Sequence, residues 1–392
     1  MAATGSIFRN KPLMTLAFGH FSVDMFGGLL PVLYPLLTDQ FDLDLKTVGF
    51  VALAYSGASS LSQPFFGLLA DRIGTRFTGL ALVWGAVLFA TVGFAPTFPM
   101  IVALAALAGL GSGAFHPFGA ISANAVIDKS NRNEAMSIYS GGGILGASLG
   151  PLIGVAIFGY FGSRGTAVML IPGLLVATFL VISMRDHNVP GRGRRAVDAA
   201  LPAVPWAVIG IIVATQMLRL FPTIGIQNFI PLWYDSMGYS AAFYGALASV
   251  LMFGMAFGNL GTGRLADKYG RRNVILWTTL LSIPAVLGLA QWPGVPGFFF
   301  AGALGLLAAA TVPLLLVMAQ QLMAGQAGLA SGAILGLGFV AGAIGAPVFG
   351  AIADSVGTQN AVRSQVVMLV IAAGAAWLLP SESRVRELAG DT

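Results

Sequence analysis

The sequence has 392 residues, of which 57% are hydrophobic and only 9% are charged. A soluble globular domain carries about 25% charged residues, so this composition excludes a soluble fold and indicates an all-α, multi-pass membrane protein. The formal net charge of +5 is better explained by membrane topology than by nucleic-acid binding, and the absence of Cys excludes disulfides and thiolate chemistry.

Apolar stretches recur along the whole chain at the length of a membrane span. A spanning helix needs about 20 apolar residues, and twelve stretches satisfy this requirement. We place them at 13–38, 47–70, 77–95, 99–127, 135–158, 164–184, 204–231, 241–265, 273–291, 296–321, 327–352 and 360–380. A polar connection lies between the sixth and the seventh. We therefore predict an N-terminal six-helix bundle at 1–184, a cytoplasmic linker at 185–203 and a C-terminal six-helix bundle at 204–392.

The basic residues are distributed very unevenly between the two sides of the predicted spans. Sixteen of the twenty Lys and Arg residues fall on the side that holds both termini, three fall on the other side and one lies within a span. Because Lys and Arg accumulate in cytoplasmic loops, we expect both termini in the cytoplasm. We place the chain in a bacterial inner membrane, as a monomer whose partners are the lipid bilayer, protons and a small-molecule substrate, without nucleic acid.

A ten-residue pattern of Gly, Asp and basic residues occurs twice, at 67–76 and at 263–272. The copies follow the second and the eighth predicted helices and are separated by 196 residues. The same offset relates Gly142, Gly146, Pro151 and Gly154 to Gly338, Gly342, Pro347 and Gly350. The chain is therefore predicted to be a duplicated six-helix unit, with Gly74 and Gly270 forming tight turns.

This repeated pattern resembles the signature loop of the major facilitator superfamily, and the resemblance covers all twelve predicted helices. It implies two bundles related by pseudo-two-fold symmetry and a secondary transporter that works by alternating access, not an enzyme, with no cofactor. Thr75 departs from the pattern, because the superfamily usually has a basic residue there. The residues expected to gate the transporter at these loops are Gly67, Asp71, Arg72, Gly263, Asp267 and Arg271.

The fifth predicted helix carries glycines at four-residue intervals, followed by Pro151. Such glycines expose backbone to a neighbouring helix, and proline favours a kink. The segment resembles the Gly-Pro motif of the antiporter branch of the superfamily, which implies export. We expect Gly146, Gly150 and Pro151 to take part in gating, although small-residue packing alone would also explain them.

The first predicted helix contains two ionisable residues, His20 and Asp24, in its middle. Their i, i+4 spacing places both side chains on one face, and a carboxylate within a membrane is rare and usually functional. We predict that this pair couples transport to protons, while a purely structural hydrogen-bonded pair stays open as an alternative. His116 of the fourth predicted helix precedes Pro117 and is a candidate for the same cavity.

Arg219 is the one basic residue within a predicted span, the seventh. Under the duplication, Gln216 is equivalent to His20 and Leu220 to Asp24, so Arg219 lies at a depth similar to that of Asp24. Since Arg stays charged, we expect it to meet Asp24 or an anionic substrate. The residues predicted to bind substrate are Arg219, His116, Tyr34, Gln63, Gln216, Gln227 and Asn228.

A narrower resemblance arises from His20-x-x-x-Asp24, Phe115-His116-Pro117, Gln63-Pro64 and Ser148-Leu-Gly-Pro151. Together they resemble the fosmidomycin-resistance group of bacterial drug-efflux antiporters. The chain differs from that group at Phe118, where the group has a carboxylate, and Ala105 stands near the position of an Arg found in many proton-coupled relatives.

This resemblance implies proton-coupled export of a small drug-like or anionic molecule. Three alternatives stay open: export of a divalent metal bound by Asp24, His20 and His116; proton-coupled import of a small organic anion; and a non-transporting receptor or scaffold. We predict no resident metal, because the few histidines lack the spacing of a zinc site.

Overall fold

The computed structural model describes residues 9–126, 132–191, 204–323, 330, 334 and 336–389. Within these residues every regular element is a helix. The α-helices in chain order are α1 (Lys11–Phe41), α2 (Leu45–Ile73), α3 (Thr78–Val92), α4 (Phe98–Ala125), α5 (Arg132–Phe161), α6 (Leu170–Ser183), α7 (Trp206–Ser236), α8 (Ala241–Tyr269), α9 (Arg271–Gln291), α10 (Val295–Ala309), α11 (Val312–Leu322), α12 (Leu337–Val356), α13 (Thr358–Trp377) and α14 (Glu382–Ala389). A 3₁₀-helix, Gly162–Met169, joins α5 to α6.

The all-helical membrane fold is confirmed, but the predicted count of twelve spans is not reproduced exactly. In the described part of the chain, nine helical stretches are long and apolar enough to cross a bilayer. The stretch from Met136 to Ser183 counts once, because the 3₁₀-helix continues directly from α5 into α6. The predicted tenth span, 296–321, corresponds to one of these stretches, Val295–Leu322, within which α10 ends at Ala309 and α11 begins at Val312.

Helix α1 holds the two ionisable residues of the first span and is fixed at both ends. The Asn10 side chain accepts a hydrogen bond from Leu13 N at 3.0 Å, and its Nδ2 donates to the Val126 carbonyl at 2.8 Å. This cap satisfies one of the free N–H groups of the first turn. Asp42 ends the helix in the left-handed conformation with φ 50°. The intervening 31 residues form one continuous helix.

Glycines of α5 bring that helix into backbone contact with α1. A Cβ atom at Gly142 would meet the Ala17 carbonyl oxygen, and one at Gly146 would meet the Phe21 carbonyl oxygen. At Gly150 it would lie 2.8 Å from Gly28 Cα. The predicted close packing of the fifth span is therefore present, because only glycine leaves room for two helix backbones at this separation.

Two of the equivalent glycines of the second half, Gly338 and Gly342, lie on α12 and face α7. A Cβ atom at Gly338 would lie 2.9 Å from Gln216 Cγ and from Leu220 Cδ1, and one at Gly342 would meet Ile224. The duplication inferred from the 196-residue offset therefore corresponds to a repeated pairing of helices. At Gly338 and Gly342 the space is filled by side chains instead of backbone.

The chain divides into two compact units, residues 1–43 with 54–196 and residues 44–53 with 197–392. Helix α2 starts in the second unit and continues in the first. The functional division at the 185–203 linker stays a prediction, and residues 192–203 of that linker lie outside the described part.

Candidate functional site

Asp24 of α1 lies between two imidazole rings within the first unit. Its Oδ2 is 3.2 Å from His20 Nε2, one turn away on the same helix, and its Oδ1 is 3.1 Å from His116 Nε2 of α4. The exposed fractions of the three side chains are 12% for His20, 25% for Asp24 and 27% for His116. The structure therefore brings together the three ionisable residues that the sequence analysis proposed for a common cavity in this half.

The second nitrogen of each imidazole faces a backbone carbonyl. His20 Nδ1 lies 3.0 Å from the Tyr139 carbonyl oxygen of α5, and His116 Nδ1 lies 2.7 Å from the Ser112 carbonyl oxygen of its own helix. A carbonyl only accepts hydrogen bonds, so both Nδ1 atoms must carry a hydrogen. These bonds fix the orientation of both rings and direct both Nε2 atoms at Asp24.

Two residues of α5 complete the site and were missed by the sequence reasoning. The Tyr139 ring stacks on His20 with a centroid separation of 4.4 Å. At Gly143 a Cβ atom would lie 2.6 Å from His20 Nε2 and would also meet Asp24 Oδ2. Gly143 follows Gly142, the first of the glycines at four-residue intervals. Nothing in its position along the sequence indicates a contact with His20 and Asp24.

The hydrogen-bonding pattern constrains what this cluster can hold. With a hydrogen on each Nδ1, a neutral imidazole presents an Nε2 lone pair to a carboxylate oxygen, and neither atom can donate. Each Nε2–Asp24 contact therefore becomes a hydrogen bond only when a proton lies in it. The ligand atoms of the three residues also lie within 4.8 Å of one another, a set of imidazole and carboxylate donors that suits a divalent cation.

Arg219 of α7 is 2% exposed and bonds entirely within the second unit. Its NH2 donates to the carbonyls of Leu307 at 2.7 Å and Ala308 at 3.3 Å, and its NH1 donates to Thr279 Oγ1. The Nε–H has no partner among the described residues. The predicted contact of Arg219 with substrate stays a prediction, for which Nε is the available donor.

The other predicted substrate-binding residues occupy varied environments. Tyr34 is fully buried in α1, and Asn228 of α7 is buried and donates to the Ile224 carbonyl at 2.8 Å. Gln216 is fully buried, and neither of its amide atoms has a partner among the described residues. Gln63 and Gln227 are half-buried. Their part in substrate binding stays a prediction.

The repeated loops contain the expected turns. Gly74 and Gly270 both adopt left-handed backbone conformations, with φ of 79° and 80°, which favour glycine. Asp71, Arg72 and Asp267 are exposed, and Gly67 is half-buried.

Arg271 differs from the other predicted gating residues because it pairs with Glu382 of α14, with 2.5 Å between NH2 and Oε2. Pro151 is buried within α5, and the surroundings of Gly263 lie outside the described part. The gating roles of all these residues stay predictions.

Comparison with known proteins assigns this helical membrane protein to a class. The family model for the Major Facilitator Superfamily matches residues 16–245 and 212–391. The chain belongs to this superfamily of membrane transporters, so the sequence-based resemblance is confirmed and the chain is a transporter rather than an enzyme.

Two relatives match over most of their length. The fosmidomycin resistance protein of Escherichia coli K12 is 30% identical over 362 residues, which cover 87% of this chain and 86% of that protein. The uncharacterized MFS-type transporter YfnC of Bacillus subtilis is 29% identical over 389 residues, covering 96% and 94%.

Solved structures show the same fold. A bacterial homologue of the human lysosomal transporter Spinster superposes with a TM-score of 0.79 at 17% identity, covering 95% of this chain and 96% of the other. The chain is thus a multi-pass membrane transporter that acts on small molecules, and its substrate and coupling are a matter for proposal.

Proposed function

We propose that this transporter exports a small drug-like or anionic molecule in exchange for protons, and that Asp24, assisted by His20 and His116, carries the proton. The observation that carries the proposal is the arrangement of the two imidazoles, each fixed by a carbonyl at Nδ1 and directed at Asp24 through Nε2. This arrangement is held together by protons in the two Nε2–Asp24 contacts.

The net charge of the cluster formed by His20, Asp24 and His116 depends on how many protons lie in the two Nε2–Asp24 contacts. With a proton in each contact the cluster carries one net positive charge, and with none it carries one net negative charge. The change occurs inside a transporter whose interior strengthens electrostatic interactions. A gain or loss of protons would therefore alter both the attraction between the helices and the affinity for a charged substrate.

A link from the cluster to helix movement runs through α5. This helix supplies the Tyr139 carbonyl to His20 and packs through Gly142, Gly146 and Gly150 against the backbone of α1. A displacement of α5 relative to α1 would remove the acceptor that holds His20 Nδ1. We infer that proton release is coupled to a rearrangement of α5 during alternating access, and that Pro151 allows this helix to bend.

Export is favoured over import by the similarity of this chain to the fosmidomycin resistance protein of Escherichia coli. A growth-inhibition panel in a pump-deficient bacterium tests this directly, with cells that express the wild type, the Asp24→Asn variant or no transporter. We expect the wild type to raise resistance to some compounds, and Asp24→Asn to lose that resistance. Increased sensitivity with the wild type would instead favour import of a small organic anion.

The second candidate function is export of a divalent metal, which the convergence of His20, Asp24 and His116 favours. In this function the metal is the substrate and displaces the protons of the two contacts. Calorimetry on the purified protein with Zn²⁺, Mn²⁺ and Fe²⁺ distinguishes the two candidates. Binding that disappears in His116→Gln would support the metal, and lack of binding would exclude it.

A further inference from the structure

A helix break interrupts the stretch that the sequence predicts as a single tenth span. Helix α10 ends at Ala309 and α11 begins at Val312, with Pro313 as its second residue. In a continuous helix the N–H of residue 313 would bond to the Ala309 carbonyl, but proline has no N–H. The Ala309 carbonyl consequently loses its helical donor. The other carbonyls in the last turn of a helix also lack helical partners once the helix ends, which is costly within a membrane.

Arg219 of α7 supplies donors at this break. Its NH2 group donates to the carbonyls of Leu307 and Ala308, which belong to the last turn of α10. Thr311, within the break, adds a second donor through its hydroxyl to the Ala308 carbonyl at 3.2 Å. The side chain of Arg219 therefore caps a helix end to which it is not adjacent in sequence.

Thr279 of α9 fixes the other branch of the guanidinium. Its hydroxyl donates to the Ile275 carbonyl at 2.6 Å, so its oxygen is free to accept from Arg219 NH1. Two helices thus present acceptor oxygens to the buried cation of α7: α10 through two carbonyls and α9 through a hydroxyl.

All of these described partners are electrically neutral. The ion pairs described in the second unit are Arg271 with Glu382 and Arg384 with Glu387, and neither involves Arg219. The C-terminal end of a helix carries a partial negative charge of about half an elementary charge. The end of α10 therefore supplies the compensation that a carboxylate would otherwise supply. In discontinuous transporter helices, such ends and unwound carbonyls coordinate cations.

We propose that the break between α10 and α11 is a cation-binding seat that Arg219 occupies permanently, and that removal of this side chain opens the seat to a free small cation, guanidinium above all. The seat consists of the carbonyls of Leu307 and Ala308 and the hydroxyl of Thr279. This assignment is independent of the proposed proton coupling, because it concerns other residues in the other unit.

Chemical rescue tests the proposal. The melting temperature of purified Arg219→Ala is measured in lipid nanodiscs with guanidinium chloride well below denaturing concentrations, and with NaCl or tetramethylammonium chloride at the same ionic strength. We expect Arg219→Ala to melt at least about 5 °C below the wild type. Guanidinium should restore most of that loss, whereas tetramethylammonium, which has no N–H groups, should restore none.

Two further variants keep the test decisive. Arg363→Ala is the matched control, because Arg363 also bonds to neutral partners, Asn360 and Gln291, but is only half-buried on α13; it should show neither the loss nor the rescue. Thr279→Val keeps the cation and removes one acceptor, so it should melt at an intermediate temperature without responding to guanidinium. If Arg219→Ala does not fold, Arg219→Lys replaces it and should retain part of the stability.

Two results would overturn the proposal. One is an Arg219→Ala protein that melts with the wild type, which would show that the end of α10 needs no cation. The other is a destabilised Arg219→Ala protein that guanidinium improves no more than tetramethylammonium does or, if Arg219→Ala does not fold, an Arg219→Lys protein that does not fold either.

Discussion

His116 and Asp24 belong to different helices, yet His116 Nε2 lies 3.1 Å from Asp24 Oδ1. The Ser112 carbonyl holds the opposite ring nitrogen at 2.7 Å, so the ring cannot turn away without losing a hydrogen bond. With His20 at 3.2 Å on the other carboxylate oxygen, Asp24 is a carboxylate whose two oxygens each face an imidazole. The function proposed for this transporter depends on the protons in those two contacts.

Replacement of either clustered histidine should impair transport. In His116→Gln or His20→Gln the side-chain amide can still donate to Asp24 but cannot release a proton. We expect each variant to lower proton-driven export by about tenfold or more, as for loss of a proton-transfer group, and to flatten its pH dependence. The measurement is substrate efflux from proteoliposomes at several pH values. His187→Gln is the control, because His187 is exposed beyond the end of α6; a His116→Gln protein with the wild-type pH profile would contradict the account.

Replacement of Gly143 of α5 by a larger residue should displace the side chain of His20 or Asp24. A methyl group there would lie 2.6 Å from His20 Nε2 and would also meet Asp24 Oδ2, so Gly143→Ala must displace one of these side chains. We expect a strong loss of export from a protein that is still inserted and folded, as checked by size-exclusion chromatography. Gly141→Ala is the matched control, since a Cβ atom at Gly141 meets nothing within 4 Å. Equal activity of the two variants would show that Asp24 is not fixed where the structure places it.

Thr75 should hold the start of the linker against the α2–α3 turn. Its hydroxyl accepts from Val189 N at 3.0 Å, and its own N–H donates to the Val189 carbonyl at 3.1 Å. The side chain of Lys or Arg has no acceptor for the Val189 N–H. Thr75, where the superfamily usually has a basic residue, therefore provides a hydrogen bond to the linker that a basic residue could not. We expect Thr75→Val, which loses the hydroxyl acceptor, to cost about 1 kcal/mol and to speed hydrogen exchange at Val189.

Thr75→Ser retains the hydroxyl and should exchange at Val189 at the wild-type rate. If Thr75→Val and Thr75→Ser exchange alike, the side chain does not hold the linker.

Acid should loosen the C-terminal helix α14 from α9. The pKa of the Glu382 carboxyl lies below its ordinary value of 4.5, because the Arg271 side chain donates hydrogen bonds to it, as does the Arg271 backbone N–H. A lowered pKa in the folded state means that ionised Glu382 stabilises the fold above about pH 4.5. This stabilisation is lost as the pH falls through the folded-state pKa.

The melting temperature should therefore fall less steeply below about pH 4.5 in Glu382→Gln than in the wild type. Glu387→Gln, which affects the exposed pair with Arg384, should follow the wild-type curve. If the melting temperatures of Glu382→Gln and the wild type depend on pH in the same way, Glu382 does not contribute to the loss of stability in acid.

The sequence predicted the features that depend on short-range spacing. The i, i+4 spacing of His20 and Asp24 gave a contact one turn apart, and the glycine series of the fifth span gave a helix face for close packing, both as found. The distance from His116 to Asp24 could not be predicted, because it depends on how α4 packs beside α1. Tyr139 and Gly143 could not be predicted for the same reason, because their contacts with His20 depend on how α5 packs against α1.

The second half shows what spacing along the chain does not reveal. Hydropathy placed one span at 296–321, and the stretch Val295–Leu322 is long and apolar enough to cross a bilayer. Hydropathy did not show the interruption between α10 and α11, for which Pro313 was a signal. Equivalence with the first half placed Arg219 at the depth of Asp24 and suggested an anionic partner. The direction of a side chain around its helix decides its partners, and Arg219 bonds to the end of α10 and to Thr279.

Proton flux in proteoliposomes that contain wild type or Asp24→Asn tests the central claim most directly. A substrate gradient is imposed, and the internal pH is followed with an entrapped dye. The account predicts substrate-dependent proton movement opposite to the substrate in the wild type, and its loss in Asp24→Asn, which keeps the shape of the side chain but cannot ionise. Asp24→Asn vesicles that move protons with the wild-type rate and pH dependence would contradict it.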